Sequence, residues 1–331
     1  MKFLVTGASG FIGGHLCRHL LHVGHAVRAA CSAPEKADVL RAMRTEMSAL
    51  ELFRVDHENG ITAQWQTACT GIDGVIHLAA RAHREKSSEA AAFAYRRVNQ
   101  ELTRVTEAAV WANVKSFVFV SSATVYGTDS PVGQVFRENS PAAPHSDDPY
   151  AVAKLEAENF LRTPGIMAAL HPVIVRPPLV YGPGVKGNML SLLRLVARGL
   201  PLPLASVNNR RSFVGIDNLV DFLLCAATHE SARGKTLLVS DGEDVSTPQL
   251  IRAIARGLGK SPRLFSAPPV LLRTAAALSG QRTRYGKLAD NFQLDAGWSR
   301  ELLDWQPKTG FAEGIAEMCA AYKKGQQAIN P

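Results

Sequence analysis

The chain has 331 residues, of which 46% are hydrophobic and 20% charged, and this composition excludes a fibrous or a disordered protein. Its length exceeds what a single small core usually holds, so we expect a large α/β domain with a second, smaller lobe. The net charge is +8, but Lys and Arg are scattered and no nucleic-acid-binding motif is present, so we expect an anionic small molecule as partner and no nucleic acid.

The cysteines and the apolar stretches indicate a reduced protein without a membrane span. The five cysteines form no C-x-x-C pair and no cysteine–histidine pattern that would suggest metal-ligand spacing, so we predict reduced core thiols and no metal site. The amino terminus runs from Met1 directly into an apolar strand without the features of a signal peptide, which predicts a cytoplasmic protein. The longest apolar stretch, Ala267 to Ser279, is interrupted by Arg273 and is shorter than the roughly 20 residues of a spanning helix. It predicts an amphipathic helix of the smaller lobe.

The first elements along the chain are a strand and a helix. Lys2 to Thr6 is a short apolar run typical of a buried strand, and from Phe11 to Val23 apolar residues recur at helical spacing. Further β-rich runs alternate with helical stretches, at Ala26 to Cys31, Leu52 to Val55, Gly74 to Leu78, Phe117 to Ser121 and Pro172 to Val175. This alternation predicts a Rossmann-type doubly wound parallel sheet.

Proline and glycine become frequent after Arg176, which predicts that the chain leaves the sheet there. Two later β-rich runs, Ser212 to Ile216 and Thr236 to Ser240, indicate that the chain returns to the sheet domain at about 212–240. We therefore expect two units: a dinucleotide-binding domain over 1–177, and a mainly C-terminal α/β substrate lobe formed by 178–211 and 241–331.

Three glycines lie at the turn between the first strand and the first helix, in the segment TGASGFIG. Gly7, Gly10 and Gly13 permit a tight turn in which the loop backbone approaches a pyrophosphate. Phe11 and Ile12 would supply the first N–H groups of the helix. Because the motif lies in a complete strand–turn–helix context, it predicts a dinucleotide site.

The tip of the second strand bears on the choice of cofactor. NAD sites normally carry an acidic residue there, which contacts the adenosine ribose. This chain has Cys31 and Ser32 instead. The residues leave NAD and NADP both open, and the absence of a carboxylate favours NADP slightly.

Tyr150 and Lys154 are candidates for proton transfer, since residues four apart lie on one face of a helix. A phenol is a poor base at neutral pH unless a neighbouring cation favours the phenolate, and Lys154 supplies such a cation. Ser122 comes just after the apolar run Ser116 to Val120, a predicted strand, and so lies at the carboxyl edge of the predicted sheet, where ligands bind. We expect Ser122 to donate a hydrogen bond to a substrate oxygen while Tyr150 acts as general acid or base.

Four motifs in order, TGASGFIG, VD, HLAA and YAVAK, resemble the extended short-chain dehydrogenase/reductase family, in particular its nucleotide-sugar 4-epimerases and 4-keto reductases. The resemblance covers nearly the whole chain and implies that Tyr150 is the acid/base, Lys154 its partner and Ser122 the hydroxyl donor. It also implies cofactor contacts by Tyr150 and Lys154 and by six further residues: Asp56 at the adenine, the backbone at Leu78, Ala79 and Ala80, Asn99 in support of the catalytic helix, and Pro177.

The resemblance also implies substrate contacts. The segment SSATVYG is similar to that of UDP-galactose 4-epimerase and implies that Thr124 contacts the sugar, while Asn188 and Arg211 match positions that hold the nucleotide diphosphate. The acidic pair of the family's sugar dehydratases is missing after Thr124, which disfavours elimination of water. Leu179 replaces an asparagine of the epimerases, and RPPLVYGPGVKGN resembles reductases of surface-polysaccharide sugar synthesis.

These observations predict an NAD(P)-dependent oxidoreductase that acts at C4 of a UDP- or dTDP-linked hexose, as a 4-keto reductase or a 4-epimerase. A reductase of a non-nucleotide carbonyl or a hydroxysteroid-like substrate and a non-catalytic NAD(P)-sensing protein are the alternatives. By analogy with the family we expect a homodimer formed through the helices at Asn99 to Trp111 and Tyr150 to Leu161.

Overall fold

The computed structural model describes residues 1–56, 62–79, 88–131, 133–280 and 282–329. In these ranges the chain forms a large parallel sheet, a small second sheet and flanking helices. The strands are β1 (Lys2–Thr6), β2 (Ala26–Cys31), β3 (Leu50–Arg54), β4 (Gly74–His77), β5 (Ser116–Val120), β6 (Val173–Arg176), β7 (Leu179–Tyr181), β8 (Phe213–Gly215) and β9 (Thr236–Leu238). The α-helices are α1 (Phe11–His22), α2 (Asp38–Glu46), α3 (Thr62–Cys69), α4 (Ser88–Trp111), α5 (Pro149–Leu161), α6 (Pro164–Leu170), α7 (Gly187–Ala197), α8 (Ile216–Thr228), α9 (Thr247–Leu258), α10 (Pro269–Leu278), α11 (Arg282–Ala289), α12 (Gly297–Leu302) and α13 (Phe311–Ile329).

The large sheet has the strand order β3-β2-β1-β4-β5-β6-β9, and every neighbouring pair is parallel. The strand order reverses between β1 and β4, and in open α/β sheets ligands bind in the crevice at the carboxyl ends of such strands. The predicted Rossmann-type doubly wound fold is confirmed. The cofactor crevice therefore lies beside the turn that follows β1.

Helices cover both faces of this sheet, which explains why its strands are apolar runs rather than alternating ones. One core joins α1, α2 and α8 to the sheet, with Leu16, Leu20 and Phe222 fully buried. The other joins α3, α4, α5 and α6 to the opposite face around Trp65 and Phe117. The two cores hold the carboxyl edge of the sheet, and hence the site, in a fixed frame.

The chain leaves the large sheet after β6. Pro177 and Pro178 have no N–H group to donate to a neighbouring strand, so the ladder ends at Arg176. Of the two later strands expected from the sequence, β9 joins the large sheet, whereas β8 pairs in parallel with β7 in a separate two-stranded sheet. The strand expected at Leu52 to Val55 begins two residues earlier. The boundaries of the two domains remain a prediction.

A further core lies in the second part of the chain, where α7, α9 and α13 pack around β7 and β8. The apolar helix expected within 267–279 is α10, and none of its residues is buried. Within the described ranges, no helix combines the length and apolar composition that crossing a membrane requires.

Candidate active site

The turn between β1 and α1 is closed by glycines. Gly7 has φ +65°, and a Cβ there would lie 3.0 Å from the backbone N of Ala79. A Cβ on Gly13 would lie 2.3 Å from the carbonyl oxygen of Gly7, so helix and loop touch at a distance that only glycine permits. Gly10 caps the helix without a side-chain hydrogen bond, and its N–H donates to the Gly7 carbonyl at 2.9 Å. The backbone N–H groups at the start of α1 are thus not used by a capping side chain, and they suit a pyrophosphate.

The end of β4 forms the opposite wall of this turn. The Thr6 hydroxyl lies 3.0 Å from Nδ1 of His77, and the backbone N–H of Ala79 donates to the Thr6 hydroxyl oxygen at 3.3 Å. The N–H of Leu78 donates to the Thr6 carbonyl. These contacts hold the backbone at Leu78 and Ala79 against the glycine loop, as a lining of the cofactor crevice requires. The predicted contact at Ala80 lies outside the described residues.

The ends of β2 and β3 form the expected adenosine side of the crevice. Cys31 is buried at the end of β2, where burial raises the pKa of its thiol, and Ser32 beyond it is exposed. Asp56 follows β3 and is exposed, and its backbone N–H donates to the Gln64 side chain at 3.2 Å. The two strand ends are adjacent because β2 and β3 pair in parallel.

Helix α5 brings the Tyr150–Lys154 face to the carboxyl end of β5. Asp148 caps the helix by accepting a hydrogen bond from the N–H of Ala151 at 3.2 Å. The side chain of Lys154 is buried, and its Nζ donates to the carbonyl oxygen of Val120 at 2.7 Å. Tyr150 lies one turn earlier and is half-buried. The spacing seen in the sequence therefore places both side chains on the face that meets the sheet edge.

Ser122 lies two residues beyond Val120, where the chain leaves β5. Its hydroxyl accepts from the N–H of Thr124 at 3.2 Å and lies 2.9 Å from the Thr124 hydroxyl. The N–H of Ala123 donates to the carbonyl of Pro177 at 2.9 Å. The structure thus brings Ser122, Thr124 and Pro177 together at the sheet edge that Lys154 also reaches.

A buried ion-pair network lies behind this edge, and the sequence analysis missed it. Glu158 is fully buried and accepts hydrogen bonds from Ser121 at 2.5 Å and from Nε of Arg176 at 2.9 Å. Arg162 forms a further ion pair with it at 2.9 Å. Burial alone would raise the pKa of Glu158, but hydrogen bonds and positive charge from Arg176 lower it below its usual value. The available signal was that Glu158 lies four residues after Lys154.

The same network acts on Lys154. Burial lowers the pKa of its ammonium to about 7, and the Glu158 carboxylate opposes that shift. The ammonium also lies 4.5 Å from the centre of the Phe119 ring. Lys154 therefore changes charge near neutral pH in the chain without ligands.

Asn99 contacts α5 from the neighbouring helix α4. Its Nδ2 donates to the Ala153 carbonyl at 3.4 Å and to the Glu156 carboxylate at 3.2 Å. The contact joins α4 to the helix that carries Tyr150, consistent with the supporting role that the resemblance implies.

The predicted substrate residues lie farther along the chain. Arg211 donates to the carbonyl of Asp290 at 2.8 Å, and burial lowers the pKa of its guanidinium to about 10. Asn188 is exposed at the start of α7. Asn188 and Arg211 share no hydrogen bond in the part of the chain that the structure describes. Among the described residues, no group of side chains is suited to hold a metal ion.

Comparisons with known proteins agree with this arrangement. Residues 3–240 match the NAD dependent epimerase/dehydratase family. A UDP-glucose 4-epimerase of Vibrio cholerae is 35% identical over 326 residues, which cover 97% of this chain and 95% of that protein. The crystal structure of a Thermus thermophilus UDP-glucose 4-epimerase in complex with NAD superimposes with a TM-score of 0.76 at 27% identity and covers 98% of this chain and 99% of its own. MoeE5 in complex with UDP-glucose and NAD has a TM-score of 0.74 at 26% identity and covers 98% and 100% of the two chains.

Proposed function

Because this chain belongs to the NAD-dependent epimerase/dehydratase family, we propose that it interconverts the C4 epimers of a UDP-linked hexose, with Tyr150 as acid/base. The observation that carries the proposal is the 2.7 Å hydrogen bond from Lys154 to Val120. That bond holds the helix with Tyr150 against the strand that leads to Ser122. The similarity over nearly the whole length to a UDP-glucose 4-epimerase supports this reaction.

The proposed cofactor is NAD, held at the glycine turn. Gly7 and Gly13 let the loop, the start of α1 and the end of β4 pack closely where a Cβ would meet backbone atoms, and the start of α1 offers uncapped backbone N–H groups to a pyrophosphate. Asp56 and the backbone at Leu78 and Ala79 would line the rest of the crevice. Two solved relatives hold NAD, and this supports NAD over NADP despite the missing carboxylate at the tip of β2.

The proposed chemistry is the removal and return of a hydride at C4 of the sugar. NAD supplies the hydride acceptor when it is bound. Tyr150 takes the proton of the C4 hydroxyl and later returns it, and a charged Lys154 one turn away favours the phenolate. The Ser122 hydroxyl is already held beside the sheet edge by Thr124, and it donates a hydrogen bond to the same C4 oxygen.

The proposed substrate end lies at Arg211. Its guanidinium keeps donors beyond the one used on Asp290, and a planar guanidinium suits a diphosphate. Asn188 would contact the same diphosphate and Thr124 the sugar, by the resemblance described above. These three assignments rest on matched motif positions together with the placement of Thr124 beside Ser122.

Net reduction of a 4-keto sugar is the second candidate, and Leu179 is the observation that favours it. Its side chain is 44% exposed at the start of β7, where the epimerases of the family carry an asparagine. An apolar group there removes an expected polar contact to the sugar. A reductase and an epimerase share Tyr150, Lys154 and Ser122. They differ in that a reductase takes up a free ketone and consumes reduced cofactor, whereas an epimerase forms the ketone and reduces it again within one turnover.

A homodimer through α4 and α5 also belongs to this proposal. Val110 and Trp111 at the end of α4 are exposed by 39% and 59%, and large exposed apolar side chains are typical of interfaces. Sedimentation velocity should therefore give the mass of two chains, and Trp111→Glu should lower it to that of one.

To test the reaction, the purified chain is incubated with NAD and either UDP-glucose or UDP-galactose, and formation of the other sugar nucleotide is followed by chromatography. We expect conversion in both directions, loss of at least a thousandfold in kcat with Tyr150→Phe, and no change with Tyr322→Phe, a matched change on α13. Consumption of added NADH or NADPH by a UDP-4-keto sugar, without epimer exchange, would instead identify a reductase. Absence of both activities in protein that binds NAD would refute a reaction at C4.

A further inference from the structure

Helix α10 carries large apolar side chains that the chain leaves uncovered. Val270 is 73% exposed, Leu271 64% and Leu278 86%, and Phe265 just before the helix is 49% exposed. We call these four residues the α10 surface. No residue of α10 is buried, so the helix is not held by a core of its own. Exposed apolar side chains gathered on one element are characteristic of a binding surface.

The orientation of α10 follows from one ion pair. Arg273 donates to Oδ1 of Asp290 at 3.0 Å, which turns this side of the helix towards the protein. At 3.6 residues per turn, Leu271 and Leu278 lie roughly 150° around the helix from Arg273. Both leucines therefore project from the opposite side, two turns apart on one face.

The segment of chain that carries this surface contains basic residues and no acidic ones, and the carboxylate paired with Arg273 belongs to Asp290, just beyond it. Between residues 245 and 289 the chain has eight Lys and Arg residues and no Asp or Glu. Of these, Arg252, Arg256, Lys260, Arg263 and Arg273 are exposed in the structure. A helix with an apolar face and basic surroundings is the composition that lies flat in the interface of an anionic membrane.

The backbone holds this basic and apolar chain together. The backbone N–H of Leu202 donates to the carbonyl oxygen of Arg263 at 2.8 Å, and the N–H of Phe265 donates to the carbonyl oxygen of Leu202 at 3.1 Å. Arg263 and Phe265 are therefore fixed next to each other on one edge, before the chain enters α10. Apolar and basic groups are presented together without any change of fold.

We propose that the α10 surface docks on a lipid bilayer that contains anionic headgroups. Leu271 and Leu278 enter the boundary between headgroups and acyl chains, and exposed basic residues such as Arg263, next to Phe265, contact the headgroup phosphates. A second copy of the chain fits this surface less well, because a twofold interface would place the acid-free segment 245–289 against itself. Arg273 and Arg211 both bind Asp290, so docking would hold the proposed substrate site beside the membrane.

The test is co-sedimentation of the full chain with sucrose-loaded vesicles. One set is pure phosphatidylcholine, and the other contains equal parts phosphatidylcholine and phosphatidylglycerol. We expect binding at least tenfold tighter to the anionic set, falling as salt rises, since each basic residue near an anionic surface contributes about fivefold. No binding to anionic vesicles at low salt would overturn the proposal.

Variants distinguish docking by α10 from general attraction of a basic protein. Leu271→Glu combined with Leu278→Glu should lower binding at least tenfold while thermal unfolding and NAD binding stay as in the wild type. Val39→Glu on α2 is the matched control, since Val39 is 57% exposed, and it should bind like the wild type. Equal binding of the double variant and the wild type would overturn the proposal. So would a wild-type protein that is dimeric while the double variant is monomeric and the Val39→Glu control stays dimeric, because α10 would then be an interface between two copies of the chain.

Discussion

Replacing Lys154 by methionine removes a buried ammonium and keeps much of the side chain's volume. Burial lowers the pKa of Lys154 from 10.5 to about 7 in the folded chain, whereas the unfolded chain keeps its proton up to the higher value. Above pH 7 the folded state therefore binds fewer protons than the unfolded state, so the free energy of unfolding rises with pH across this window. The whole window corresponds to about 5 kcal/mol, since each pH unit contributes about 1.4 kcal/mol.

We expect the wild type to gain stability relative to Lys154→Met as the pH rises from 7 towards 10.5. Below pH 7 Lys154 is charged, and the full cost of burying its ammonium lowers the free energy of unfolding of the wild type, so Lys154→Met should be the more stable of the two proteins. Loss of the hydrogen bond to Val120 adds a constant offset of about 1 kcal/mol against the variant. Other titrating groups are common to both proteins and cancel in the difference.

The assay is urea unfolding of both proteins without NAD, at a series of pH values. Lys324→Met, which removes an exposed ammonium from α13, should follow the wild type throughout. A difference between the wild type and Lys154→Met that is independent of pH would refute the reasoning, because it would mean that folding does not shift the Lys154 titration.

Three further substitutions test the other parts of the site. Gly13→Ala should weaken NAD binding at least tenfold in calorimetry, because its Cβ would lie 2.3 Å from the Gly7 oxygen; Gly14→Ala, whose Cβ meets nothing closer than 3.9 Å, should bind normally. Glu158→Gln should lower the free energy of unfolding by about 3–5 kcal/mol in urea, because it leaves a buried guanidinium without its counter-charge; a loss below about 1 kcal/mol would contradict this. Arg211→Ala should weaken UDP-glucose binding by about 10–100-fold, the range of a charge-assisted hydrogen bond, while the control Arg210→Ala, a change at an exposed neighbour, should leave binding unchanged. Equal affinity of Arg211→Ala and the wild type for UDP-glucose would favour a substrate without a diphosphate.

Features that depend on neighbours in the chain were predictable from the sequence. The strands β1 and β2 begin and end where their apolar runs do, and Gly7 and Gly13 lie in the tight turn that their spacing predicts. The interval from Tyr150 to Lys154 placed both on one helix face. Each of these follows from local periodicity or from the conformational freedom of glycine, so a short window of sequence suffices.

Features that depend on distant partners were decided only in the tertiary structure. The strand at Phe213–Gly215 pairs with β7 because the prolines after Arg176 end the large sheet's ladder, and no local pattern names that partner. The apolar character of Ala267 to Ser279 predicted a helix, but not that Leu271 and Leu278 would remain uncovered. Likewise, the sequence shows Lys154 and Glu158 four residues apart, and only packing against β5 and β6 buries both charges. Burial in a low-dielectric interior determines how strongly a charge is perturbed, and burial is a property of the folded chain.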